Sequence, residues 1–153
     1  MVCFALAACN SYHAYRPDLV AAPPGVSDED LYVASIRVFT DLGYGVMYTD
    51  PLAGIVASGW LVADRNADGT EVHHAWRVVV ADGTFRIGLD CERESSPDRP
   101  RPCGDDERMD SFAAADAGMR HVIFEEAIRR AYARQKLATS AAPAAPATPA
   151  QEP

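Results

Sequence analysis

The chain has 153 residues, 48% of them hydrophobic, which suits one domain with a buried core. Its 22 acidic residues against 14 basic ones give a net charge of -8. That balance is opposite to the Lys and Arg clusters that neutralise phosphate backbones, so nucleic acid is not an expected partner. No apolar run reaches the roughly 18 residues of a membrane-spanning helix.

The N-terminal segment, MVCFALAAC, is apolar or small from Val2 to Ala8 and turns polar at Asn10. A secretory signal combines a basic start, an apolar stretch of about 7 to 15 residues and small residues at the cut. Here the apolar run is short and no Lys or Arg precedes it, so one reading places the true start upstream of Met1. Leu6, Ala7, Ala8 and Cys9 resemble the lipobox of bacterial lipoproteins. The resemblance implies a lipidated Cys9 bearing palmitate as the first mature residue. With Asn10 behind the cysteine, it further implies the periplasmic side of the outer membrane. Residues 10–26 are polar, Pro-containing and without periodicity, as a tether is. The alternative is a first strand or helix in which Cys3 and Cys9 are buried thiols.

Ser27 begins the domain proper, residues 27–137, by capping a helix whose first turn carries Asp28, Glu29 and Asp30. Leu31, Ala34, Val38, Phe39 and Leu42 give it one apolar face, and Gly43 marks its end. A strand over 44–49, a turn at DPLAG and a second strand over 55–63 follow. The second strand has apolar residues on both parities, so its register cannot be read from the sequence.

Asp64 to Gly69, DRNADG, fits the first half of a calcium loop, with Asp64, Asn66 and Asp68 as oxygen donors. Its twelfth position is Ala75 instead of a bidentate Glu, and strands flank it. The favoured reading is a polar hairpin turn without metal.

Asp82-Gly83 predicts a two-residue hairpin. It sets Val80 opposite Phe85, Val78 opposite Ile87, Trp76 opposite Leu89 and His74 opposite Cys91 on one face. Arg77, Arg86, Asp90 and Glu92 fall on the other, with His73 opposite Glu92. His73 and His74 point to opposite faces and cannot chelate together. Cys91 and Cys103 are an even pair, expected to form a disulfide in an oxidising compartment. Closing the charged, Pro-rich loop between them removes roughly 3 kcal/mol of unfolded-chain entropy. A long helix over 109–136 follows, acidic before its start and basic near its end, with Glu125–Arg129 and Glu126–Arg130 as i, i+4 pairs. Its expected apolar set is Phe112, Ala115, Met119, Val122, Ile123, Ala127 and Ala131. Residues 138–153 are Ala and Pro with little apolar bulk and read as a disordered tail.

The fold class is therefore α+β: a helix, a four-stranded antiparallel sheet and a long C-terminal helix, in two layers with both helices on one sheet face. The run LYVASIRVFTDLGYGVMYTDPLAGIVASGW resembles the helix-grip domains of the barrel-assembly lipoprotein BamC over about 30 residues of pattern. The resemblance implies a non-enzymatic envelope protein, in envelope assembly or maintenance. No GxSxG elbow, phosphate loop or zinc-ligand spacing is present, so no catalytic residue and no cofactor is expected. The expected partners are a membrane, through the anchor, and another envelope protein. The binding surface is either the sheet face with Arg77, Arg86, Asp90 and Glu92 or the Cys91–Cys103 loop. The rival reading is a hydrophobic-ligand binder with a pocket near Trp60, Trp76 and Phe85.

Overall fold

A computed structural model describes residues 19–65, 67–94, 101–102 and 109–141, and in it Ser27 opens the first helix as expected. Helix α1 spans Asp28–Asp41. The Ser27 hydroxyl accepts the Asp30 N–H at 3.2 Å, while the Asp30 carboxylate accepts the Ser27 N–H at 3.0 Å. This reciprocal capping satisfies two donors that a helix start otherwise leaves without partners. At the other end Tyr44 N–H donates to Phe39 O and Gly43 N–H to Thr40 O, with Gly43 at φ 84°. That is the Schellman pattern, and it needs a left-handed residue where the glycine stands. Leu31, Ala34, Val38 and Phe39 are buried. Leu42 departs from the expected face: it is the C-cap, at which the chain leaves the helix, and is 48% exposed.

The strands are β1 (Val20–Ala21), β2 (Val46–Asp50), β3 (Ile55–Ser58), β4 (Leu61–Arg65), β5 (Glu71–Ala81), β6 (Thr84–Glu94) and β7 (Arg101–Pro102). They form one antiparallel sheet in the order β1-β6-β5-β3-β2, with β4 on β5 and β7 on β6. The β5–β6 register is the predicted one at every pair, and Asp82 and Gly83 have φ of 52° and 71°, as a type I′ turn demands. Strand β1 was expected to be tether. Its two residues pair with Phe85 and Thr84 on the edge of β6, too short a segment to show periodicity.

The second strand is two pieces, β3 and β4, and this explains its mixed parity. Val56 stands opposite Val78, but Leu61 stands opposite His74, so Gly59 and Trp60 together oppose Ala75. A second slip lies between Val62 and Asp64. Each extra residue moves the following side chains to the other face. At the first slip the Ser58 hydroxyl accepts the Trp76 N–H at 2.7 Å and donates to Gly59 O at 2.8 Å, standing in for a strand partner. Gly59 is required there, because a Cβ would lie 2.6 Å from Tyr44 O.

Helix α2 (Met109–Ala141) continues past Lys136 into the segment expected to be tail. Alanine is the best helix former, which favours this continuation. Met119, Ile123, Ala127 and Ala131 are buried at i, i+4 spacing, whereas Val122, expected to face the core, is 41% exposed. The side chain of Phe112 lies outside the described residues. α2 runs antiparallel to α1, with Arg134 bound to Asp30 at 2.7 Å and Arg37 to Glu126 at 3.0 Å. The expected i, i+4 pairs are replaced: Glu126 takes Arg37 and Arg129, and Glu125 lies 3.4 Å from His121. From β5 the core takes Trp76, Val78 and Val80, and from β6 Phe85, Ile87, Leu89 and Cys91, together with the apolar faces of both helices. Both helices therefore cover the same sheet face.

Candidate functional site

The face of the sheet turned away from the helices begins with the odd-numbered residues of β5. Arg77 is flanked by Ala57 of β3 and Gly88 of β6, and Ala57 in turn by Tyr48 of β2. One row along, Ala75 lies between Asp90 on one side and the Gly59-Trp60 step on the other. Ala75 and Gly88 are buried although they lie on the side away from the helices. The result is a shallow trough of small residues, walled by Tyr48, Trp60 and Val62, all more than 40% exposed, and crossed by a charged pair. In that pair the Arg77 Nη2 lies 3.7 Å from Asp90 Oδ2, with the arginine side chain 50% exposed and the aspartate 14%.

Arg86, opposite Val79, and Glu92, opposite His73, lie on the same face, so all four expected surface residues come together on it. The His73 Nε2 sits 3.4 Å from carboxylate oxygens of both Glu71 and Glu94, beside the Glu92 that faces it in register. Arg65 pairs with Glu71 and balances part of that negative charge.

The expected hydrophobic pocket is corrected. Trp76 and Phe85 are packed into the core, Trp76 edge-on to Tyr44 at 6.4 Å between centroids and Phe85 edge-on to Phe124 at 5.1 Å. Trp60 is 43% exposed and belongs to the row of Ala75. The bulge separates the two tryptophans, so the three aromatic side chains surround no common space.

In the calcium candidate, Asp64 belongs to β4, and Asn66 lies outside the described residues. The Asp68 carboxylate accepts the Thr70 N–H at 2.9 Å, and Gly69 has φ of 85°. These are the features of a hairpin turn closed by the Arg65–Glu71 pair. Hydrogen bonds from the Thr70 backbone and side chain hold the Asp68 carboxyl below its ordinary value. Among the described residues no three His, Cys, Asp or Glu side chains converge to hold a metal ion. His121 projects from α2 into solvent. Cys91 is buried opposite His74, while Cys9 and Cys103 lie outside the described residues.

Three buried carboxylates, Asp30, Asp116 and Glu126, were not foreseen as core residues, and two of them shift in opposite directions. Burial raises Asp30 towards neutrality, but the Ser27 hydrogen bonds and the Arg134 and Arg130 charges outweigh it and leave the carboxyl below its ordinary value. Asp116, only 2% exposed, goes the other way: burial raises it, and Arg120, 3.6 Å from Oδ2, offsets this only in part.

A second concavity, about 490 Å³, lies between α1 and α2 and is lined by Arg37, Arg129, Arg130 and Arg134 with Asp30 and Glu126 among them. Sequence reading took the arginines of α2 for complements of the helix dipole. The signal that distinguishes them is that Arg134 and Glu126 are spaced to meet Asp30 and Arg37 across an antiparallel pair.

No family model and no curated protein matches the chain. Among solved structures it is similar to a TBP-like protein from Parabacteroides distasonis, at 13% identity and a TM-score of 0.45, over 88% of this chain and 96% of that one. It is also similar to a DUF4468 family protein from Bacteroides ovatus, at 14% identity and a TM-score of 0.43, over 85% of this chain and 86% of that one.

Proposed function

We propose that this chain is a non-catalytic envelope protein, anchored through Cys9 at the periplasmic side of the outer membrane, whose domain binds another envelope component through the helix-free sheet face. The observation that carries the binding reading is the trough itself: exposed aromatic and aliphatic walls around an arginine–aspartate pair, on a rigid sheet. A polypeptide surface with an apolar ridge and a charge to match fits such a surface, since aromatic and Arg side chains supply most of the energy at interface centres.

The anchor reading is supported by the sequence Leu6-Ala7-Ala8-Cys9 followed by a polar stretch. The exported compartment is supported by the cysteines. Strand β7 sets Arg101 opposite Arg93 and Pro102 opposite Glu92, and Cys91 is the next residue of β6 beyond Glu92. A Cys91–Cys103 disulfide belongs to an oxidising compartment.

The test is to express the gene from its native upstream region and take the intact mass of the membrane fraction with and without reductant. An acylated chain beginning at Cys9 that gains a pair of hydrogens on reduction is expected. An unprocessed chain beginning at Met1 with free thiols would overturn the address. For the surface, a photo-crosslinking residue at position 77 should give a discrete adduct in native membranes that Trp60→Asp abolishes, whereas one at position 132 on α2 should give none. No adduct at 77, or equal adducts at both, would sink the sheet-face reading.

A further inference from the structure

The geometry points to a second binding site, in the groove between α1 and α2, that takes the carboxylate of an apolar-tailed monocarboxylate with Arg130 as its anchor. It is independent of the sheet face and lies on the opposite layer of the domain.

The inference starts from the accounting of charge in the groove. Arg134 donates to Asp30 at 2.7 Å and to the Ser27 hydroxyl at 3.2 Å. Arg37 and Arg129 share Glu126, whose side chain is only 7% exposed. Arg130 differs from these three. Among the described residues it has no carboxylate within ion-pair distance, and its Nε is shut off from solvent with no hydrogen-bond partner. Asp30 feels its charge, but that carboxylate is already occupied by Ser27 and Arg134. The Nε is out of an anion's reach, but Arg130 lines the groove and its guanidinium hydrogen-bonds to no described residue, so an anion at its Nη groups would give a partly buried charge the partner it lacks.

The chemistry of the anion follows from what is free. Guanidinium forks bind carboxylate and phosphate alike, but a phosphate carries close to two charges and is held by more than one cation. Here four guanidiniums line the groove with three carboxylates, Glu29, Asp30 and Glu126, so a single negative charge is the match. Arg130, Ala133 and Leu137 stand at i, i+3 and i+7 on α2, so an apolar strip runs along the helix from the anchor, and Leu137 is exposed at its far end. A carboxylate at Arg130 with a short hydrocarbon tail laid along Ala133 and Leu137 satisfies both halves of the groove.

The test is calorimetric titration of the full chain with octanoate at fixed ionic strength, against octylamine, acetate and inorganic phosphate. Octanoate should bind at least about tenfold more tightly than any of the three, a difference of about 1.4 kcal/mol. Arg130→Gln should weaken octanoate by about tenfold or more, with Arg130→Lys intermediate, and Arg86→Gln on the sheet face should leave it unchanged. Silence with octanoate, tighter binding of phosphate or octylamine, or unchanged affinity in a folded Arg130→Gln would overturn the assignment. Should Arg130→Gln fail to fold, Leu137→Asp decides, because that residue is exposed: octanoate affinity must fall there, and an unchanged value overturns the site.

Discussion

Replacing Ser58 with alanine removes one oxygen atom and tests how this sheet tolerates its bulge. The hydroxyl is buried and makes two bonds, accepting from Trp76 N–H at 2.7 Å and donating to Gly59 O at 2.8 Å. Two residues of the second strand, one of them extra, face Ala75 just beyond it, so the strand is out of step and offers Trp76 no carbonyl there. Without the hydroxyl, a buried N–H and a buried C=O both lose a partner, at a cost of about 1 to 3 kcal/mol for the less forgiving of them. Partial relaxation sets the expectation for Ser58→Ala at about 2 kcal/mol. For a domain of this size that is a fall in Tm of about 8 °C. Ser58→Thr keeps the oxygen and should recover most of the loss. Amide exchange gives the local readout: Trp76 N–H should exchange faster in the alanine variant by more than its strand neighbours do. A Ser58→Ala protein within about 0.5 kcal/mol of the parent, the range of an inconsequential surface change, would refute the reasoning.

Gly54→Ala should be among the most damaging single changes, at about 3 kcal/mol or more by urea midpoint, because its φ is 65° and a Cβ would stand 1.9 Å from Val80 O. Gly69→Ala, with φ of 85° and open space around it, should cost only the backbone term of about 1 kcal/mol. Asp30→Asn should lose about 1 to 2 kcal/mol at neutral pH. The Asp30 carboxyl lies below its ordinary value in the folded state, so its contribution is complete above the unfolded value and is lost as pH falls through the folded one. The two stability curves should accordingly converge in acid. Asp116 has the opposite sign: with a raised folded value, its penalty is absent in acid and grows as pH climbs from the ordinary carboxylate range through the raised one. Asp116→Asn should therefore gain about 1 kcal/mol at neutral pH and nothing near pH 4, and an equal loss at both would contradict the assignment.

Local chemistry written in consecutive residues was sufficient for α1, the Asp82-Gly83 hairpin and the side of the sheet on which Arg77, Arg86, Asp90 and Glu92 lie. Capping, left-handed turn residues and a period of two act over a few residues, so the sequence determines them by itself. The same period rule placed Trp76 and Phe85 correctly on the apolar face. It could not tell a filled core from a cavity, because that depends on Tyr44 and Phe124 arriving from other elements to occupy the space. The tertiary structure alone decided the register of the second strand, since the slip at Gly59-Trp60 is stabilised by a serine reaching the neighbouring strand. It also decided the partners of the α2 arginines. Glu126 was expected to pair with Arg130 on its own helix, yet it takes Arg37 of α1 and Arg129 instead, and among the described residues Arg130 is left without a carboxylate. Charges pair with whatever the fold brings within reach, and for long side chains on two packed helices that reach extends well beyond the neighbours the sequence supplies.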